Sequence, residues 1–131
     1  MTRQYFVVGA SYDNEDQTPT FLKRGIWEIG YSRKEQPAQY AIVDQMKAGD
    51  RIAIKRMVGG QGNNSKIKIL AIGVISDMDY ERGMAFVDWA HKDGQGKRTV
   101  GIRGCLRTVH GPYTIGDSIE AKDWLNDIFR L

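Results

Sequence analysis

Residues 66–76, KIKILAIGVIS, constrain the fold more than any other segment. Lys66, Ile67, Lys68 and Ile69 alternate polar with apolar, the two-residue period of a strand. From Leu70 the run turns continuously apolar, as a strand does where it enters a core. Gly73 within it marks a bulge or a close backbone approach. Four further segments read as its companions. Residues 4–10 (QYFVVGA) form a dense apolar run, read as a buried strand. Residues 51–57 alternate Ile52 and Ile54 with polar side chains. Residues 84–89 (MAFVDW) are a strand, and residues 103–109 a weaker one.

The segments between the strands define the rest. Residues 11–19 (SYDNEDQTP) are polar and acidic, hence a loop. Residues 21–31 (FLKRGIWEIGY) hold two glycines and no helical period, and read as an irregular, ordered segment. Residues 36–47 place Tyr40, Val43 and Met46 at helical spacing, with Pro37 suited to a first turn and Gly49-Asp50 to end the helix. Residues 58–65 (VGGQGNNS) read as a flexible loop and residues 92–97 (KDGQGK) as a turn. Residues 117–129 are the best-marked helix. Asp117 is its cap, Glu120 the capping-box partner, and Ala121, Trp124, Leu125, Ile128 and Phe129 make one apolar face. No repeat, low-complexity tract or linker interrupts the 131 residues, so residues 1–131 are expected to be one domain. Five to six short strands with two helices predict an α+β fold: a small, partly open β-barrel flanked by short helices.

Composition narrows the function classes. With 41% hydrophobic and 27% charged residues, the chain matches neither a disordered nor a fibrous protein. No apolar run approaches the ~20 residues of a membrane span, and the start of the chain lacks a signal-peptide core. The lone cysteine, Cys105, cannot form an internal disulfide. A reducing cytoplasmic location without membrane association is therefore expected. The net charge is +3, from 19 basic and 16 acidic residues. That surplus permits nucleic-acid binding without arguing for it. Its distribution is more informative: Lys23, Arg24, Arg33, Lys34, Lys55, Arg56, Lys66 and Lys68 lie in the first 70 residues, and Arg98, Arg103 and Arg107 form a second group.

Catalytic signatures are not found. Cys105, His91 and His110 lack the spacing of a zinc site, so no metal and no cofactor is expected. Ser11, Ser65 and Cys105 stand in no nucleophile motif. The glycines of residues 59–64 are not followed by the Lys-Ser/Thr of a phosphate loop. Glu28 and Asp50 are two carboxylates that nothing in the sequence brings together. The chain is read as a binding protein, not an enzyme. Among the aromatics, Trp124 is explained by its helix face and Tyr5 by its strand. Trp27, between Gly25 and Gly30 and beside Lys23 and Arg24, has no periodic explanation; by pattern alone it reads first as a plug for the barrel end and second as an exposed base-stacking platform.

The ordered motifs VVGASY, GIWEIGY, QMKAGDRIAIK, KIKILAIGVISD and AFVDW resemble the EVE-like branch of the PUA superfamily. More closely, they resemble the N-terminal DNA-binding domain of McrB-type AAA restriction proteins. Gly25-Ile26-Trp27-Glu28, residues 47–55, residues 68–74 and Val87-Asp88-Trp89 carry the likeness, which spans roughly residues 5–129. It implies a pseudo-barrel with a pocket beside the end of the first strand, where a flipped and often methylated base is received. Carried over position by position, Trp27 matches the cage tryptophan. Ser11 and Tyr12 follow the first strand, and Lys55 ends the second. Tyr31 and Trp89 are the weaker members of the implied pocket; apart from the likeness, the distribution of charge makes Lys23, Arg24, Arg56 and Lys55 the candidate phosphate contacts. The family's WDGVRN-like segment reads Trp27-Glu28-Ile29-Gly30-Tyr31 here, without its Arg-Asn pair, so the likeness carries no base identity.

The expected partner is nucleic acid, DNA ahead of RNA, with an AAA-type ATPase or nuclease subunit as a further partner. Three other readings stand beside it: an RNA-binding PUA-like module, an ASCH-type nuclease and a protein-interaction domain. The GxKxxExR-like motif of the nuclease class is not found in the sequence.

Overall fold

A computed structural model of the chain describes residues 3–12, 15–59, 66–90, 98–101, 108–114 and 119–129. The chain begins with β1 (Tyr5–Gly9), a short ribbon of β2 (Ser11–Tyr12) and β3 (Glu15–Asp16), then α1 (Thr18–Arg24) and β4 (Ile26–Glu28). After α2 (Pro37–Val43) come the long strands β5 (Arg51–Gly59) and β6 (Lys66–Asp79), then β7 (Met84–Trp89), β8 (Arg98–Gly101), β9 (Val109–Tyr113) and α3 (Ile119–Phe129). One mixed sheet runs β4-β7-β6-β5-β1-β9. Strand β6 is long enough to hold two partners on one edge: β8 pairs with Lys66–Ile69 and β7 with Gly73–Asp79. Among the described strands only β1 and β5 run parallel.

Alternation along the strands sorts the apolar residues onto two faces. Phe6, Val8, Ile52 and Ile54 join Trp27, Trp89, Tyr40, Val43 and Met46 in a core under α1 and α2. Tyr5, Val7, Ala53, Ile67 and Ile69 face the other way and are covered by Trp124, Leu125, Ile128 and Phe129 of α3. At Leu70 the register of β6 against β5 slips by one residue, because Ile54 pairs with Ala71 and Lys55 with Ile69. The slip lets Leu70 and Ala71 both reach the first core.

Buried Asp50 sets the parallel register. Its carboxylate accepts from the Gln4 and Lys47 backbone N–H groups at 3.2 and 3.0 Å and from Gln4 Nε2 at 3.1 Å. The loop after α2 is thereby tied to the start of β1, and β1 and β5 end side by side at Gly9 and Lys55.

The expected strands at residues 4–10, 51–57, 66–76 and 84–89 and both expected helices are present, with ends shifted by a few residues. Tyr40, Val43 and Met46 are buried as their spacing requires, and Pro37 stands in the first turn of α2. Gly73 is a close approach: a Cβ there would lie 2.6 Å from Val87 Cγ1 and 2.8 Å from Asp88 O.

Two segments differ from expectation. Residues 11–19 hold β2, β3 and the start of α1 instead of a plain loop. Residues 21–31 are not irregular: α1 ends at Gly25 in the left-handed region (φ 68°), and β4 begins at once against β7. A two-turn helix followed by a three-residue strand shows no period, which is why the sequence hid both. The expected strand at 103–109 overlaps β9 only at Val109, residues 102–107 lying outside the described residues. Asp117, Cys105 and His91 also lie outside them.

Candidate functional site

The end of β1 is where the site elements converge, and the backbone of Gly9 is their common point. Gly9 N–H donates to Thr108 O at 2.6 Å. Its carbonyl accepts from Trp27 Nε1 at 2.8 Å and lies 3.2 Å from the Tyr12 hydroxyl. The Tyr12 hydroxyl makes its shorter bond, 2.8 Å, to Glu28 O. Burial, with Tyr31 close by, holds that phenol well above the ordinary tyrosine range. Gly30 makes the arrangement possible, because a Cβ there would fall 2.2–2.6 Å from the Tyr12 ring.

Beside this knot lies an open concavity of about 180 Å³ lined by Tyr31, Gln36, Gln39 and Thr108. Tyr31 is 37% exposed. Its ring meets that of Tyr12 edge-on, centroids 5.8 Å apart, and its carbonyl accepts from Tyr40 Oη at 2.7 Å. It is therefore an accessible aromatic held from two sides. Gln39 is buried and anchors α2 to β9: Oε1 accepts from Val109 N–H at 2.7 Å and Nε2 donates to Val109 O at 3.3 Å. The Gln39 amide is thus committed to Val109, which leaves the Tyr31, Gln36 and Thr108 side chains as an aromatic ring, an amide that can donate and accept, and a hydroxyl around the concavity. Those groups suit a planar, polar-edged ring.

Of the pocket residues expected from sequence, Tyr31 alone lines this concavity; Tyr12 packs edge-on against Tyr31, and Ser11 is exposed on β2 next to Tyr12. The expectation of an exposed Trp27 is overturned. Its exposure is 0%, it pairs within β4, and its indole N–H is committed to Gly9 O. Trp89 is likewise a core residue, its Nε1 within 3.2–3.3 Å of Phe21 O and Ile26 O, where it closes the α1–β4 junction. Lys55 does not turn toward Tyr12. It is buried, and its register with Gly9 and Ile69 puts it on the α3 face of the sheet. Lys23 and Arg24 are exposed in the last turn of α1, and Arg56 is exposed on β5.

Glu28 and Asp50 do not form a pair. Glu28 meets Arg82 at 3.2 Å, while Asp50 is engaged by Gln4 and Lys47. Among the described residues there is no group of three or more potential metal ligands, and no helix is long and apolar enough to cross a membrane. Gln36, Gln39 and Thr108 escaped the sequence reading because a polar residue on a short helix or in a loop carries no period that marks it as lining a site. The chain matches no protein-family model and no curated protein.

Proposed function

We propose that the chain is a nucleic-acid-binding module that takes a single unstacked base into the concavity beside the end of β1. The observation that carries this reading is Tyr31, a partly exposed residue lining a polar cavity, its ring packed edge-on against Tyr12 and its backbone carbonyl held by Tyr40. At about 180 Å³ the cavity is smaller than the ~300–1,000 Å³ clefts that enclose drug-sized ligands. It suits one ring. Stacking on an aromatic face is worth ~1–3 kcal/mol per base and accepts any base, while the Gln36 amide supplies an edge contact that discriminates.

The likeness to EVE-like and McrB-type N-terminal domains supports the same location, a pocket beside the first strand end. It extends the proposal to a modified, methylated base flipped from DNA, to a partly open PUA-like barrel and to a cytoplasmic protein. It also extends it to an AAA-type ATPase or nuclease subunit as partner, which would supply the chemistry after recognition. A base leaving a duplex costs a few kcal/mol, and one stacking contact offsets only part of that, so single strands and weakened pairs are the favoured targets.

The test is a binding screen against matched oligonucleotides carrying cytosine, methylcytosine, hydroxymethylcytosine, adenine or methyladenine, as DNA and RNA, single- and double-stranded. One modified form is expected to bind best, and Tyr31→Ala to weaken it by ~1–3 kcal/mol. If no oligonucleotide binds, or if Tyr31→Ala binds as wild type does, the proposal fails.

A further inference from the structure

Beyond Lys55, β5 continues through Arg56 to Gly59, and β6 begins opposite it at Lys66. Alternation puts Ile67 and Ile69 under α3, so Lys66 and Lys68 point to the other face. Arg56 is directly opposite Lys68 in the register and shares that face. Like charges directly opposite on neighbouring strands are destabilising. The strands themselves carry nothing that relieves them: β5, β8 and β6 as far as Ser76 contain no Asp or Glu. None of the three cations takes part in an ion pair among the described residues. Arg56 and Lys66 are exposed, and Lys68 is partly so.

This cationic face is continuous with the candidate site in two respects. It is the face that carries Ile52 and Ile54, and therefore the Tyr12–Trp27 side of the sheet. It also starts one residue past Lys55, the register partner of Gly9, so it leaves from the same end of β1 as Ser11 and Tyr12. Lys66 and Lys68, two residues apart on one strand, lie about 6.6–6.8 Å apart, and the adjacent strand adds Arg56 about 4.7–4.9 Å to the side. A row of fixed cations at that spacing complements a polyanion whose charges recur along an extended chain.

We propose that Arg56, Lys66 and Lys68 form a phosphate-binding track that holds the sugar-phosphate backbone running past the base at Tyr31. This rests on the nucleic-acid reading above and assigns the main electrostatic contact to the β5–β6 hairpin, away from Lys23 and Arg24 on α1. Those two residues have a local explanation, because cations in a last helical turn are favoured by the helix dipole.

The experiment is a salt titration of oligonucleotide affinity for wild type, for Arg56→Gln/Lys66→Gln/Lys68→Gln, for Lys23→Gln/Arg24→Gln and for Tyr31→Ala. Thermal melts establish that each is folded, and phosphatidylserine-containing vesicles are a parallel ligand. The triple variant is expected to melt no lower than wild type, since it removes like-charge opposition. Its slope of log K against log salt should be shallower by about 2.7 on duplex DNA or 2.1 on single strands, at ~0.9 or ~0.7 per phosphate contact. The α1 pair should keep the wild-type slope. If the triple variant keeps the slope while Tyr31→Ala still loses affinity, the track is wrong and the base site stands. The track is also overturned if the α1 pair carries the slope, or if the three residues hold vesicles while wild type holds no oligonucleotide. Absence of all oligonucleotide binding overturns the track and the base site together.

Discussion

Trp27 and Tyr31 are both neighbours of Tyr12, and truncating each should read out on a different quantity. Trp27 is fully buried and hydrogen-bonded to Gly9 O, so Trp27→Ala leaves a large core cavity and removes the closer of the two side-chain donors to that carbonyl. It should cost ~3–5 kcal/mol of stability in a denaturant titration. Tyr31 is more than a third exposed and loses chiefly its edge contact with Tyr12, so Tyr31→Ala should cost only about 0.5–1.5 kcal/mol. Equal destabilisation by the two would mean that Tyr31 is a packing residue and not a platform. Tyr12 adds a pH test. Its folded pKa is raised, chiefly by burial, above the unfolded value of about 10. The stability it contributes is therefore fully present below pH ~10 and is lost as pH rises toward the folded value. Tyr12→Phe forfeits the hydrogen bond to Glu28 O, about 1 kcal/mol near neutrality. It also escapes the alkaline loss, so the two stability curves should converge above pH ~10. A gap that stays constant with pH would show that the Tyr12 proton is not linked to folding.

Elements long enough to repeat their period announced themselves, and the short ones did not. Strand β6 and helix α3 were legible because fourteen and eleven residues display alternation or an apolar stripe. Seven-residue α1 and three-residue β4 display neither, and that gap made Trp27 look unexplained when β4 pairing and the first core explain it. The site was partly legible for the same reason. Tyr12 and Tyr31 stood out as large rings near the first strand end, whereas Gln39 reaches the concavity only because α2 packs its amide on Val109, some 70 residues later. No local pattern encodes a contact of that range. At the level of elements, α3 should be separable from the site. Trp124 is buried under β1 and β6 and packs edge-on to Tyr113 at 5.2 Å, so Trp124→Ala should cost ~3–5 kcal/mol of stability. The concavity is built from residues around α2 and the end of β1, so the folded fraction should bind oligonucleotides with wild-type affinity. A folded Trp124→Ala protein with lost affinity would place the binding surface on α3.

The two cores share one set of strands, and this decides how the whole molecule should unfold. Phe6 and Val8 of β1 serve the first core while Tyr5 and Val7 serve the second. In β5, Ile52 and Ile54 are divided from Ala53 in the same way, and β6 sends Leu70 and Ala71 one way and Ile67 and Ile69 the other. Melting either core would leave three central strands with one face stripped to water. Each strand would lose half its apolar burial at ~25 cal/mol per Å², more than a domain of marginal stability can spare. Unfolding should therefore be a single cooperative transition across residues 1–131. The tryptophans make this measurable, because Trp27 and Trp89 belong to the first core and Trp124 to the second. In Trp124→Phe, fluorescence reports the first core alone; in Trp27→Phe/Trp89→Phe, it reports the second alone. Each variant will have its own midpoint. Within each, the fluorescence midpoint should coincide with that from far-UV circular dichroism. Should the Trp124 signal change at a lower denaturant concentration than the backbone signal of the same variant, α3 would be a separately folding layer, and residues 1–131 would not act as one unit.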